Sequence, residues 1–212
     1  MSKKPKFDRD KVVANATKLY WEKGYHATSM RNLQDAIDMR PGSIYAEFGS
    51  KDGVFKASLE HYTQLSIAQI NSIREASESP LVALKTFVKQ AVIDTQKGTP
   101  SCMCMLAKTV SELTEEQRDL LDVAKQALKS VENQFTGLII EAQGIGEIDQ
   151  EKHASELARF LQIQITGLRM YVRTSDERVP LGKMIDELFE HYPFKILESQ
   201  LCEVDEVRQT EK

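Results

Sequence analysis

A pair of short helical patterns between residues 28 and 48 constrains the fold of this chain more than any other feature. The first pattern begins after Thr28 or Ser29, either of which can cap a helix through its hydroxyl group. Asp38 interrupts the pattern, and Pro41 can open the next helix because the first helical residue needs no amide hydrogen. Two short helices joined by a turn of about three residues are typical of a helix-turn-helix.

The rest of the chain has helical periodicity and no alternating strand pattern. Asp8 is expected to cap a first helix that ends at Gly24, and six more helices are expected after residue 50. One of them is a short helix from Cys102 to Leu113. The sequence therefore predicts an all-α fold of about nine helices. The expected organisation is a three-helix domain at residues 1–56, a larger helical domain at 57–212, and a disordered tail from Ser199.

Composition excludes several classes of protein. The 212 residues include only 10 glycines and 6 prolines, which argues against a turn-rich β protein. The longest apolar run, Cys102–Ala107, is far shorter than the ~20 residues of a membrane span. Charged residues at positions 8–11 occupy the place of a signal peptide's apolar segment. Three cysteines, an odd number, favour a reducing compartment over a disulfide framework. We therefore expect a cytoplasmic protein without membrane contact.

The charge is distributed unevenly. Residues 1–56 carry 11 basic and 7 acidic side chains, whereas the remaining residues carry 17 basic and 25 acidic ones. A basic N-terminal region on an acidic body would confine any affinity for nucleic acid to one end of the molecule.

The predicted helix-turn-helix has side chains suited to DNA. The second helix of such a motif enters the major groove and presents its first residues to base edges. Here those residues are Arg40, the small Gly42 and Ser43, and then Tyr45, whose hydroxyl can bind a phosphate. Arg31 on the preceding helix can contact either a guanine edge or a phosphate. Tyr45 could alternatively pack in the core.

A resemblance to a known family sharpens this interpretation. Residues 10–56 resemble the N-terminal domain of the tetracycline-repressor (TetR) family. The resemblance is carried by Tyr25-His26-Ala27-Thr28-Ser29-Met30-Arg31 and by Ser43-Ile44-Tyr45-Ala46-Glu47-Phe48-Gly49-Ser50-Lys51. It implies a dimeric transcriptional regulator that binds a palindromic double-stranded operator. It also implies DNA contacts from Ser29, Arg31, Gly42, Ser43, Tyr45 and Lys51, to which we add Arg40 from its position.

Three residues depart from the family pattern. Asp38 stands where glycine is usual in the turn, so it must adopt a left-handed conformation, which Asp tolerates better than most residues. Arg40 replaces the usual Ser or Thr cap. Glu47 puts a carboxylate near the expected phosphates, although it could accept a hydrogen bond from cytosine. These departures affect which operator is bound.

The expected partners are operator DNA, a small-molecule effector of unknown identity and a second copy of the chain. Within the family the last two helices form a four-helix bundle across a two-fold axis. The apolar face of the ninth helix therefore predicts dimer contacts from Leu181, Ile185, Leu188 and Tyr192. Effector contacts are expected from Cys104, Met105, Phe135, Gln162, Thr166 and Arg169. The last three form a polar stripe on the eighth helix, which could instead be an exposed face.

The segment Cys102-Met103-Cys104 supports an alternative in which the regulator senses thiol-reactive compounds. Two cysteines at this spacing on a helix point about 200° apart, which disfavours a disulfide between them. Burial among apolar residues would also shield the thiols. We therefore favour a repressor released by a non-covalent ligand.

Two other classes of function remain as alternatives. An enzyme on a helical bundle would need a catalytic constellation, and the sequence offers no acid–base pair, nucleophile triad or metal-ligand set. We accordingly expect neither a cofactor nor a metal. An adaptor that binds protein in place of DNA is the other alternative.

Overall fold

Nine α-helices and one short 3₁₀-helix make up the secondary structure of the described residues in the computed structural model. The structure describes residues 7–93, 99–175, 179–191 and 193–195. The predicted all-α fold is confirmed, because these residues contain no strand. The helices are α1 (Arg9–Lys23), α2 (Met30–Ile37), α3 (Pro41–Phe48), α4 (Lys51–Ala76), α5 (Pro80–Ile93), α6 (Met105–Glu112), α7 (Arg118–Gly144), α8 (Ala154–Thr174) and α9 (Leu181–Glu190).

The chain forms two compact units. The first comprises Met1–Gln69 and Gln96–Val131, and so includes α1 to α3, α6 and the N-terminal parts of α4 and α7. Its core contains Tyr20, Leu33, Ile44 and Phe55, and the rings of Tyr20 and Phe55 pack edge to face with centroids 4.7 Å apart. Buried aromatic and aliphatic side chains from four helices thus hold α3 in place.

Local signals determine the helix ends of residues 7–56, which we call the reading head. Asp8 caps α1 by accepting from two backbone amides, and Ser29 forms a capping box with Asn32 at the start of α2. Asp38 is left-handed, with φ of 52°, as the turn requires. Arg40 makes no side-chain cap on α3, so the predicted loss of that cap is confirmed.

The start of α6 differs from the prediction. The helix begins at Met105 and not at Cys102, because hydrogen bonds hold the preceding residues in other conformations. The Ser101 hydroxyl accepts from the Met103 amide at 3.2 Å, and the Trp21 indole donates to the Met103 carbonyl at 2.7 Å. Such side-chain bonds compete with helix formation. The angle expected between two helical cysteines therefore does not apply to Cys102 and Cys104.

The second unit comprises Ile70–Thr95 and Glu132–Lys212, in which α5 packs against both α8 and α9. The rings of Phe87 and Phe135 lie 5.4 Å apart in its core. At the edge of the α5–α9 contact, Asp186 accepts from the ammonium groups of Lys85 and Lys89 at 2.8 and 2.7 Å. This double ion pair joins the two helices.

The predicted dimer residues on α9 do not share one environment. Ile185 and Leu181 are already buried within the subunit, with 0% and 6% of their surface exposed. Both are packed within the subunit because the apolar face of α9 lies on α5, and their contact with a partner stays a prediction. Leu188 instead lines a surface groove between α8 and α9. Tyr192 and the tail from Ser199 lie outside the described residues.

No helix in the described part of the chain is both long enough and apolar enough to cross a lipid bilayer.

The ion pairs of Asp186 predict a pH-dependent contribution to stability. Hydrogen bonds from Lys85 and Lys89 lower the pKa of Asp186 below its ordinary value of 3.8. The contribution is therefore complete above that value and is lost as the pH falls through the lower folded-state pKa. We expect Asp186→Asn to reduce the free energy of unfolding at neutral pH and to converge with wild type in acid.

Urea unfolding from about pH 7 to about pH 3 measures this difference directly. The same substitution at the exposed Asp35 is the control and should change stability little at any pH. An Asp186→Asn effect of equal size across the range would contradict the ion-pair account.

Candidate nucleic-acid interface

The first turns of α3 present an exposed surface. Arg40, Gly42 and Ser43 are exposed, and Tyr45 has 53% of its surface accessible. Ile44 lies between them with 0% exposed, so one buried side chain anchors the helix while its neighbours face outward. The alternative in which Tyr45 packs in the core is therefore wrong. The surface combines small residues, a cation and a rigid phenol, a combination suited to close approach by DNA.

The N-terminus of α2 adds two exposed residues. The Ser29 hydroxyl accepts from the Asn32 amide at 3.1 Å and donates to the Asn32 side chain at 2.8 Å. Arg31 is exposed and follows in the first turn. A capped helix N-terminus with an exposed cation is a favourable place for a phosphate.

Lys51 is half-buried at the start of α4, and its ammonium group is held by Tyr25. The Nζ atom donates to the Tyr25 carbonyl at 2.8 Å and lies 4.2 Å from the centre of its ring. Burial lowers the pKa of Lys51, while the carboxylates of Asp52 and Glu112 act in the opposite direction. Because an ammonium group has three N–H donors, this position leaves donors available for a phosphate.

Tyr25 is held by a hydrogen bond at its hydroxyl and by a packing contact of its ring. Its hydroxyl donates to the Asp52 carboxylate at 2.5 Å, and its ring packs against Phe55 with centroids 5.0 Å apart. Burial, followed by the hydrogen bond to Asp52, raises the pKa of Tyr25 to about 12. The phenol therefore remains a neutral donor at physiological pH. Tyr25 joins the loop after α1 to the start of α4.

The carboxylate of Glu47 has a partner that the sequence did not reveal. Arg9 on α1 donates to it at 3.1 Å, and the same guanidinium lies 5.5 Å from the centre of the Phe48 ring. The ion pair is largely exposed, so its contribution to stability is small. It nevertheless offsets the negative charge that Glu47 brings to the exposed surface of α3.

Gly53 is a residue that sequence reasoning missed. A Cβ at this position would collide with the carbonyl oxygen of Phe48, the last residue of α3. Only glycine therefore allows the first turn of α4 to approach the end of α3 so closely. A glycine within the first turn of a helical pattern was the available signal, because glycine inside a helix usually has a packing reason.

The six predicted effector residues are divided between the two units. Cys104 is half-buried and Met105 buried in the first unit, whereas Phe135 is buried in the second. On α8, Arg169 is buried with 6% exposed, so the interpretation of the polar stripe as an exposed face is wrong for this residue. The Thr166 hydroxyl donates to the Gln162 carbonyl within the helix at 2.9 Å. The effector site stays a prediction.

Among the described residues, no group of three or more His, Cys, Asp or Glu side chains could hold a metal ion.

Comparisons with known proteins agree with this geometry. Residues 12–58 match the family described as bacterial regulatory proteins, tetR family. The repressor ComR of Escherichia coli is 29% identical over 176 residues, which cover 79% of this chain and 80% of that protein. The repressor DhaR of Mycobacterium sp. strain GP1 is 26% identical over 184 residues, covering 86% and 90% of the two chains. Both are named HTH-type transcriptional repressors.

A solved structure shares the fold. It is a cysteine mutant of the TetR family transcriptional regulator CifR in complex with 26-base-pair operator DNA. Its TM-score to this chain is 0.78 at 23% identity, with 90% of this chain and 100% of that chain covered.

The close approach at Gly53 predicts a sensitive position. We expect Gly53→Ala to lower the melting temperature and to weaken DNA binding, because the added methyl must push α3 away from α4. The cost should be about 1–3 kcal/mol, as for other overpacked sites. Thermal unfolding and a DNA-binding titration at a temperature where the variant is folded measure the two effects.

Gly137→Ala is the matched control, because a Cβ there meets no atom within 4 Å. It should leave DNA binding unchanged and should raise stability slightly, since alanine favours a helix more than glycine does. Wild-type affinity and stability in Gly53→Ala would show that α3 does not depend on this contact.

Proposed function

We propose that this chain is a cytoplasmic transcriptional repressor, on the premise that its residues 12–58 match the tetR family of bacterial regulatory proteins. It binds a pseudo-palindromic operator as a homodimer and leaves the operator when a small molecule binds. The observation that carries the proposal is the exposed N-terminal surface of α3, held in place by the buried Ile44.

The residues of the reading head divide into two roles. Tyr45 and Lys51 hold phosphates, since a phenolic hydroxyl and an ammonium group bind phosphate oxygens without reading sequence. Gly42 and Ser43 let α3 approach the bases, and Arg31 reads one base pair. Arg40 and Ser29 lie at helix N-termini, where backbone amides and the helix dipole also favour phosphate.

The boundary between the two proposed domains lies after residue 56. Residues 1–56 form the DNA-binding domain, and residues 57–212 bind the effector and the second subunit. The six residues predicted from the sequence stay the candidates for effector contact. Ligand binding favours a conformation in which the two reading heads no longer match the operator, a coupling that must be reciprocal.

An apolar surface of the second unit offers the dimer contact. Ile163, Met170 and Tyr171 on α8 are exposed and recur at helical spacing, together with Gly167. Leu188 lines the adjoining groove between α8 and α9. Large exposed apolar side chains on one face are typical of a surface covered by another protein. A second copy of the chain covers it by two-fold symmetry.

The thiol-sensing alternative, with Cys102 and Cys104, is less favoured. A reactive thiol needs positive charge nearby to stabilise the thiolate. Lys108 is the nearest described basic residue that follows the two cysteines, and its ammonium group donates to the carbonyls of Trp21 and Glu22. The relatives named above are repressors, and their names do not mention thiols.

Operator binding tests the assigned roles. We expect Tyr45→Ala and Lys51→Ala to weaken binding to all DNA sequences alike, because both lose a phosphate contact. Arg31→Ala should relax specificity at one base pair, with a cost of about 1–3 kcal/mol. Lys125→Ala on α7, an exposed cation outside the reading head, should bind as wild type does.

The measurement is a gel-shift titration with operator DNA over a range of salt concentrations. Loss of one phosphate contact per subunit should flatten the salt dependence, because fewer counterions are released. Wild-type affinity in Tyr45→Ala, Lys51→Ala and Arg31→Ala would show that the assigned interface is wrong.

Charge on the exposed face of α8 tests the dimer. We expect the pair Ile163→Glu and Met170→Glu to give folded monomers with much weaker operator binding, because one reading head makes too few contacts. Light scattering gives the mass, and circular dichroism checks the fold. Leu65→Glu on α4, another exposed apolar residue, should remain dimeric. A dimeric Ile163→Glu, Met170→Glu variant would move the interface to another surface.

A further inference from the structure

Two side chains of α6 bind the backbone of the reading head, although α6 begins 49 residues after the reading head ends. The first is Lys108, whose Nζ donates to the carbonyls of Trp21 at 3.1 Å and Glu22 at 2.7 Å. These carbonyls belong to the last turn of α1, where helix geometry leaves acceptors unsatisfied. Lys108 therefore caps the C-terminus of α1 from another helix.

The second is Glu112, the last residue of α6. Its two carboxylate oxygens accept from consecutive amides of the loop after α1, at 3.0 Å from Tyr25 and 2.7 Å from His26. A Cβ at Gly24 would collide with this carboxylate, and Gly24 also has φ of 86°. The glycine thus provides both the space and the backbone conformation that the carboxylate needs.

Tyr25 contacts both Glu112 and Lys51, because its amide donates to the Glu112 carboxylate and its carbonyl accepts from the Lys51 ammonium group. The Tyr25 ring lies beneath the same ammonium group. The side chain of Tyr25 is tied in turn to Asp52. A continuous series of hydrogen bonds therefore runs from the Glu112 carboxylate through the backbone of Tyr25 to the Lys51 ammonium group.

We propose that Glu112 is a positioning residue of the DNA interface, which fixes the Tyr25 backbone and thereby holds the Lys51 ammonium group ready for a phosphate. The proposal rests on the proposed function, because it takes Lys51 as a phosphate contact. Lysine has a flexible side chain that loses conformational entropy when it is held in one place. Contacts made before DNA arrives reduce that loss on binding.

The direction in which DNA affinity changes when Glu112 is neutralised distinguishes a positioning role from simple charge repulsion. Glu112 is negatively charged, so its neutralisation should strengthen binding to the DNA backbone if charge alone mattered. The positioning role requires the opposite. A glutamine at this position can accept through one oxygen only, so it cannot satisfy both amides as the carboxylate does. Glu112→Gln should therefore weaken operator binding although it removes a repulsive charge.

The experiment is a double-mutant cycle on operator affinity at fixed salt concentration, with Glu112→Gln, Lys51→Met and the two combined. We expect Glu112→Gln to weaken binding by about threefold to tenfold, as for one lost hydrogen bond. In the Lys51→Met background it should have almost no further effect, because the group it positions is gone. Glu116→Gln removes the same charge from an exposed residue beyond α6 and should bind as tightly as wild type or more tightly.

Two outcomes would overturn the proposal. One is wild-type or tighter binding by Glu112→Gln; the other is an equal loss with and without Lys51, which would indicate a general effect on the fold. If Glu112→Gln is unfolded by circular dichroism, Glu112→Asp replaces it in the cycle, since it keeps the charge but is too short to span both amides. Failure of the wild-type protein to bind any operator would instead refute the proposed function.

Discussion

The hydrogen bonds of the loop between α1 and α2 are the interactions on which the reading head depends. Six residues, 24–29, connect α1 to α2 there, and side chains from inside and outside the loop bind several of its backbone groups. Within the loop, the buried Thr28 hydroxyl donates to the Gly24 carbonyl at 2.6 Å. Outside it, α4 provides the Lys51 ammonium, and α6 the Glu112 carboxylate. The Thr28 hydroxyl is buried, and a buried polar group left without a partner would cost about 1–3 kcal/mol. Together these contacts hold the loop that joins α1 to α2.

Sequence reasoning succeeded where the signal was local. Asp8, Ser29 and Pro41 start helices through groups that lie within three residues, and Asp38 was recognised as the residue that must turn left-handed. Such signals depend only on residues that are close in sequence. The start of α6 could not be predicted in this way, because the Trp21 indole binds the Met103 carbonyl across 82 positions of sequence.

The functional surfaces show the same limit. The exposed side of α3 was predicted from the motif, but the pairing of Glu47 with Arg9 and the close approach at Gly53 depend on packing between helices. On α9, an apolar stripe predicts that this face is buried, but it does not tell whether a helix of the same subunit or a partner buries it. The covering element is α5 of the same subunit, which is why Leu181 and Ile185 are buried before any partner binds.

The missing cap at Arg40 leaves a particular group available on α3. Pro41 has no amide hydrogen, and the amides of Ser43 and Ile44 both donate to the Arg40 carbonyl, at 2.9 and 3.1 Å. The Gly42 amide therefore lies in the exposed first turn as a donor that the helix itself does not use. Because this donor is exposed, its hydrogen should exchange with solvent faster than those of the turns that follow. A bound phosphate would accept from this donor and shield it, so slower exchange of this one hydrogen would report DNA binding at the level of a single peptide group.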